Sequence, residues 1–170
     1  MYHIRLKLDE SQDFIERHHR HSKPLRRHMW SIGAVKYPYE RCYYEPDVLG
    51  ICTVDRCSSA WSKRRDHIEI RRLCVRDDAP KNTCSFLLGQ ATRGAAALGY
   101  SCVITYTKPY ENGSSLLSAG WWIQKGTRTG LLQWIWVNDF RRSAKHLKFT
   151  KDVLSRLKDL SISEGLQPTN

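Results

Sequence analysis

The chain has 170 residues, 41% of them hydrophobic and 26% charged, a composition that suits one globular domain and is too short for two comfortable ones. Twenty-eight Lys and Arg against seventeen Asp and Glu leave a formal charge of +11, which points toward a polyanionic partner such as DNA, RNA or a phosphate-rich cofactor, with a merely solubilising basic surface as the alternative. No apolar run approaches the roughly 20 residues of a membrane helix, and the alternating start MYHIRLKLDE is unlike a signal-peptide core, so a cytoplasmic protein with no membrane partner is expected.

Tyr2, Ile4, Leu6 and Leu8 alternate with His3, Arg5 and Lys7, the period of a half-buried strand. DESQDFIERHH reads as a short helix capped by Asp9 or Ser11, with Phe14 and Ile15 inward. MWSIGAVK and LGICTVDRC read as two strands flanking YPYERCYYEPDV, whose prolines keep it out of a sheet interior. HIEIRRLCV is a further strand with an irregularity. Ile68 and Ile70 share one face, but Leu73 and Val75 are out of phase with them. A strict period of two cannot bury both pairs together, so a bulge is expected at Arg71–Arg72, splaying the strand from its neighbour and freeing backbone groups.

Pro80 precedes a helix that Asn82 or Thr83 can cap, with Phe86, Leu87, Ala91, Ala95 and Leu98 as its apolar stripe and Gly99 as a left-handed stop. SCVITYT follows as a strand. Strand, helix and strand within about 40 residues predict a parallel pair. ENGSSLLSAGW reads as a turn and a short helix, and WWIQKG and LLQWIWVN as two closing strands. From Thr150 an amphipathic helix turns Val153, Leu154, Leu157 and Leu160 inward, and the last residues, 163–170, read as a loose tail. The fold class is therefore α/β with a mixed sheet.

Cysteines at 42, 52, 57, 74, 84 and 102 form no CxxC pair, and Cys74, Cys84 and Cys102 fall in segments that read as buried. Reduced thiols are expected. A zinc site from Cys52, Cys57 and nearby histidines has poor spacing.

A helix N-terminus carries unsatisfied N–H groups and about half a positive charge, a natural seat for an anion. Here Lys81 precedes it, Asn82 to Ser85 form the turn, and Ser85, Gly89 and Thr92 give small side chains for close approach. A well-capped core helix is the structural alternative. The tract RHHRH gathers His18, His19 and His21, with His28 further on. Imidazoles serve as base near neutral pH or as metal ligands, His18 and His21 being the metal candidates, and a solvated basic helix end is the alternative. Glu69 is the only acid of its strand and can act as base or pair with Arg71 or Arg72. The phenol of Tyr106 can serve as acid toward a leaving group or simply end a strand. The runs SKRRDH and DFRRSAKHLKFTK offer Lys63, Arg64, Arg65, Arg141, Arg142, Lys145 and Lys148 for phosphate contacts, with Trp61, Trp134, Trp136 and Phe140 able to stack on an extruded base, though WIWV alternates as strand core does.

The order strand, helix, two strands, bulged strand, helix, strand, helix, two strands resembles the GNAT superfamily of acyltransferases over roughly residues 1–138, most specifically 66–122. Within it, RHHRHSKP, SIGAV, LGICTV, EIRRLCV, NTCSFLLGQATRGAAALGY, VITYT and ENGSSLLSAGW resemble a phage and prophage branch related to Mom DNA-modification proteins. Those proteins install a carbamoylmethyl-type group on adenine in phage DNA and shield it from restriction enzymes. The resemblance implies a GNAT-like central sheet with a splayed, bulged parallel pair in an acyltransferase domain placed at 1–148, and the amphipathic C-terminal helix, placed at 149–162, is expected to pack on the same domain. The resemblance also implies a donor, acyl-CoA or another acyl or aminoacyl donor, held by Arg72, Leu73, Val75, Lys81, Asn82, Thr83, Cys84, Ser85, Glu111 and Ser114. Catalytic candidates are His18, His19, His21, Glu69, Ser85 and Tyr106. The usual GNAT turn, Arg/Gln-x-x-Gly-x-Gly/Ala, is replaced by DAPKNT, and a metal-assisted route stays open. DNA is the implied partner. The alternatives are an acetyl-CoA-dependent N-acetyltransferase for a protein or small-molecule amine, and a non-catalytic nucleic-acid-binding phage protein.

Overall fold

The alternating N-terminus becomes strand β1 (Tyr2–Leu6), paired antiparallel with β2 (Trp30–Val35), which pairs in turn with β3 (Val48–Arg56). The computed structural model describes residues 1–18, 23, 25–37, 46–58, 66–138 and 148–156. Most of the segment between β2 and β3 lies outside them. Helix α1 (Leu8–His18) buries Phe14 and Ile15 as their spacing predicts. Its start differs from expectation: Leu8 is its first residue, the Lys7 N–H is capped by Glu10 Oε2 at 2.6 Å, and Ser11 lies inside the helix with its hydroxyl on the Leu8 carbonyl.

Strand β4 (His67–Val75) pairs antiparallel with β3, and helix α2 (Thr83–Ala97) carries the chain to β5 (Cys102–Thr107), parallel to β4. After the short α3 (Ser114–Ser118), β6 (Trp122–Gly126) forms the sheet edge and β7 (Leu132–Val137) inserts between β5 and β6, giving the order β1-β2-β3-β4-β5-β7-β6. A fourth helix, α4 (148–156), starts two residues before Thr150. The Thr150 hydroxyl accepts the Ile123 N–H, and Val153 and Leu154 pack on the main core.

The phase slip in HIEIRRLCV is a bulge. Thr53 faces Arg72 and Val54 faces Ile70, so Arg71 is the extra residue. With it inserted, Ile68, Ile70, Leu73 and Val75 all face α2, against Leu87, Leu88, Ala91 and Ala95. Turning Leu73 and Val75 to water would cost about 3 kcal/mol, more than the ladder hydrogen bond a bulge forfeits at about 1 kcal/mol. The opposite face is covered beside β1–β4 by α1, through Leu6, Phe14, Ile15, Ile51 and Cys74.

The α2 stripe needs two corrections. Leu98 ends the helix 63% exposed, and Leu88 and Thr92 are buried in its stead. Thr92 is thus no part of an outward small face, and the space over Gly89 is taken by the Arg93 guanidinium. Gly99 does adopt the left-handed stop, at φ +85°.

Gly113 precedes α3 at φ +62°, and a Cβ there would run into the Trp134 indole. Gly113→Ala should therefore destabilise the fold by about 3 kcal/mol, read as a lowered midpoint in urea unfolding.

Candidate active site

Strands β4 and β5 share a ladder over three pairs only, His67–Cys102, Ile68–Val103 and Glu69–Ile104. Just beyond, the Thr105 hydroxyl bonds the Ile70 carbonyl at 3.1 Å, standing in for a backbone donor. From there β4 runs on to Val75 and β5 to Thr107 without pairing to each other. The parting expected at Arg71–Arg72 thus begins one residue earlier.

Beside this opening lies the start of α2. Asn82 holds the N-cap position at φ 71° in the left-handed region and makes no side-chain cap. The hydroxyls of Thr83 and Ser85 turn back to the carbonyls of Pro80 and Asn82, at 2.6 and 3.0 Å. Neither predicted cap therefore serves. The first regular helical bond is Phe86 N–H to the Asn82 carbonyl, and the Cys84 and Ser85 amides find no acceptor among the described residues. Lys81 is exposed beside them. The preceding turn is held by Arg76, which forks onto Asp78 at 2.8 and 2.5 Å and reaches Asp47 at 2.5 Å. Those hydrogen bonds hold the Asp78 carboxyl below its usual range, and His18, at the end of α1, adds to the effect.

The thiol of Cys84 reaches Ser115 on α3, a contact that lowers its pKa, but burial outweighs it and pushes the thiol up. Burial likewise raises Cys57 to about 12 and Cys74 to about 11. Cys52, Cys57, Cys74, Cys84 and Cys102 are free thiols. Cys52 joins the α2-side core and Cys57 the other face, so the two cannot share a metal. Among the described residues no group of three ligating side chains could hold one.

Glu69 is 5% exposed on the face opposite α2. Its Oε2 accepts the Ser58 N–H at 2.9 Å and the Ser58 hydroxyl at 3.0 Å, and its Oε1 lies 3.4 Å from Arg71 Nε. Arg72 bonds the Lys23 carbonyl through Nε and Nη2 and the Arg71 carbonyl through Nη1, tying the segment after α1 to the bulge. Burial and the neighbouring Arg71 lower the Arg72 pKa. Leu73 and Val75 pack toward α2, so only their backbone is at the opening. Glu111 Oε2 accepts the Lys108 N–H, and Ser114 is the first residue of α3, its N–H on Asn112 Oδ1.

The structure thus brings together the end of α1, the bulge, the α2 start and the far end of β5. His18 is exposed, its ring 4.6 Å from that of Phe14. His19, His21, Lys63, Arg64, Arg65, Arg141, Arg142 and Lys145 lie outside the described residues, and Lys148 is exposed at the start of α4. Trp134 is fully buried with its N–H on the Thr107 hydroxyl, which removes it as a stacking platform. One residue that sequence reasoning missed is Gln133, whose Nε2 donates to the Tyr106 hydroxyl at 2.8 Å. Its only signal was an uncharged polar residue inside the apolar strand LQWIWV.

No protein-family model matches the chain, and no curated protein sequence does. Solved structures do. An IAA acetyltransferase from Bacillus cereus superposes with a TM-score of 0.58 at 13% identity, over 81% of this chain and 99% of that one. The fold is that of the GNAT acyltransferases. The ribosomal-protein-S18-alanine N-acetyltransferase from Escherichia coli gives 0.58 at 10% identity, over 84% and 97%. An acetyltransferase from Bacillus subtilis in complex with CoA gives 0.51 at 14% identity, over 76% and 86%. At such identities the GNAT likeness is one of fold.

His28 lies just before β2, its Nε2 3.3 Å from the Ser31 hydroxyl and its Nδ1 buried with no partner among the described residues. Burial lowers its pKa, and Asp55 opposes this more weakly. The unfolded chain therefore binds the proton first as pH falls below the ordinary value of 6.5, and stability declines until folded His28 also protonates. His28→Asn should flatten that acid limb of the thermal midpoint against pH.

Proposed function

We propose that the chain transfers an acyl-type group from a thioester donor to an amino nitrogen, and that the acceptor is the exocyclic amine of adenine in DNA. The parting of β4 from β5 beside an uncapped α2 start carries the transferase reading, because together they offer unpaired backbone groups to an extended arm and free amides to a phosphate. The solved relative bound to CoA supports a CoA-type donor. The backbone of β4 at Arg72, Leu73 and Val75 suits the amides of a pantetheine arm, and the amides of Cys84 and Ser85, with Lys81 and Asn82 flanking, suit phosphate oxygens. The fit is narrower than a glycine-rich turn would give, since Pro80 has no N–H and Asp77 and Asp78 stand in the turn, Asp78 being neutralised by Arg76. When bound, a thioester supplies an activated carbonyl and a thiol leaving group.

The chain's own groups divide the proton work across one sheet face. Glu69 pairs in register with Ile104, two residues before Tyr106, so the carboxylate and the phenol project to the same side. In this reading Glu69, fixed by Ser58 and Arg71, or an imidazole of His18, His19 or His21, receives the proton that the amine loses, and Tyr106 supplies one to the leaving sulfur. The surplus of +11, with the runs at 63–65 and 141–148, supports a DNA acceptor through phosphate contacts. An amine inside a duplex must be extruded to reach such a site. A second reading, an N-acetyltransferase for a small-molecule or protein amine, is favoured by solved relatives described as an aminoglycoside 6'-acetyltransferase and as the S18-alanine enzyme.

DNA from cells expressing the protein, digested to nucleosides and weighed, should contain a heavier deoxyadenosine. Glu69→Gln should lower its yield by about 100-fold with the fold intact. Unmodified DNA alongside a folded protein that acetylates amines would decide for the second reading. A folded protein that binds DNA, leaves deoxyadenosine unmodified and acetylates no amine would mark a non-catalytic binder.

A further inference from the structure

We propose that Gln133 is the positioning residue that turns the Tyr106 hydroxyl proton into the opening between β4 and β5, fitting Tyr106 to protonate the leaving sulfur of a thioester. This rests on the acyl-transfer reading above. Gln133 sits opposite Tyr106 in the β5–β7 register and is 1% exposed. Its Nε2–H occupies a lone pair of the phenol oxygen at 2.8 Å, while its Oε1 is buried without a hydrogen-bond partner among the described residues. A phenol has one proton. Since Oε1 does not receive it and the oxygen is already an acceptor, that proton is free for another group.

Position gives the proton somewhere to go. Tyr106 follows Thr105, whose hydroxyl on the Ile70 carbonyl is the last hydrogen bond between β5 and β4 among the described residues. Tyr106 is partly exposed and packs against the cluster of Cys57, Cys102, Ile104, Trp122 and Ile135. Stability alone does not account for a glutamine here: a leucine of similar size would bury no unpartnered acceptor.

In the step this serves, the amine lone pair forms a bond to the thioester carbonyl carbon and the carbon–sulfur bond breaks with its electron pair on sulfur. Sulfur takes the Tyr106 proton, the nitrogen gives its own proton to Glu69 or water, and the phenolate regains one from solvent.

The test follows thiol release from acetyl-CoA with adenine-containing duplex DNA as acceptor, in the parent, Gln133→Leu, Tyr106→Phe and the double variant. Gln133→Leu should lower kcat about 10- to 100-fold with KM for acetyl-CoA changed less than about twofold, and the double variant should be no slower than Tyr106→Phe. Its Tm should equal or exceed the parent's, and Gln133→Met should behave alike. Multiplying losses in the double variant, a KM effect alone, or a Tm fall of more than about 5 °C in both Gln133 variants would overturn the assignment. A folded parent that releases no thiol at all defeats the acyl-thioester reading instead, a separate failure.

Discussion

One inserted residue, Arg71, sets the geometry on which the rest of this molecule depends. Opposite β3 it has no partner, and by occupying that extra place it restores Leu73 and Val75 to the face already held by Ile68 and Ile70. Burial of those side chains against α2 outweighs the lost ladder bond. The same insertion bends β4 away from β5, so the hydrophobic term that keeps α2 docked is also what holds the sheet open. The opening is not a local defect that could be annealed without disturbing the core.

The polar groups around the opening are ordered by the same bulge. Arg71 meets Glu69 on the face away from α2, and Arg72 carries the segment after α1 by bonding the Lys23 carbonyl. A nearly buried carboxylate is costly unless its acceptors are filled, and Ser58 fills two positions through its amide and hydroxyl. Across the sheet, Tyr106 is held by Gln133 on that same face. A GNAT sheet thus presents a fixed carboxylate and a fixed phenol on one side of the gap and, on the other, a helix start whose Cys84 and Ser85 amides have no acceptor among the described residues.

Much of this could be read in the residues themselves. Period-two alternation marked β1, and the slip between Ile70 and Leu73 marked the bulge, because apolar phase is a strictly local record of which face is buried. The α2 start and the Gly99 stop were legible from equally local chemistry, a proline that cannot sit inside the helix and a glycine that accepts a left-handed backbone. Cap chemistry was not: Asn82, Thr83 and Ser85 all have capping side chains, yet each is turned elsewhere, a choice made by the left-handed Asn82 backbone and the Pro80 carbonyl. Leu98 fitted the helical stripe but fell at the helix end, where nothing covers it.

By itself, then, the amino-acid sequence determined the α/β class, the strand and helix order, the parallel β4–β5 unit and the position of its bulge, since each rests on patterns a few residues long. Only the tertiary structure decided that β7 inserts between β5 and β6, that Ser58 clasps Glu69, and that Gln133 faces Tyr106. Those pairings join residues 11 or 27 positions apart, and no periodicity records which strand lies beside which; side-chain partners across a sheet exist only once its order and register are set.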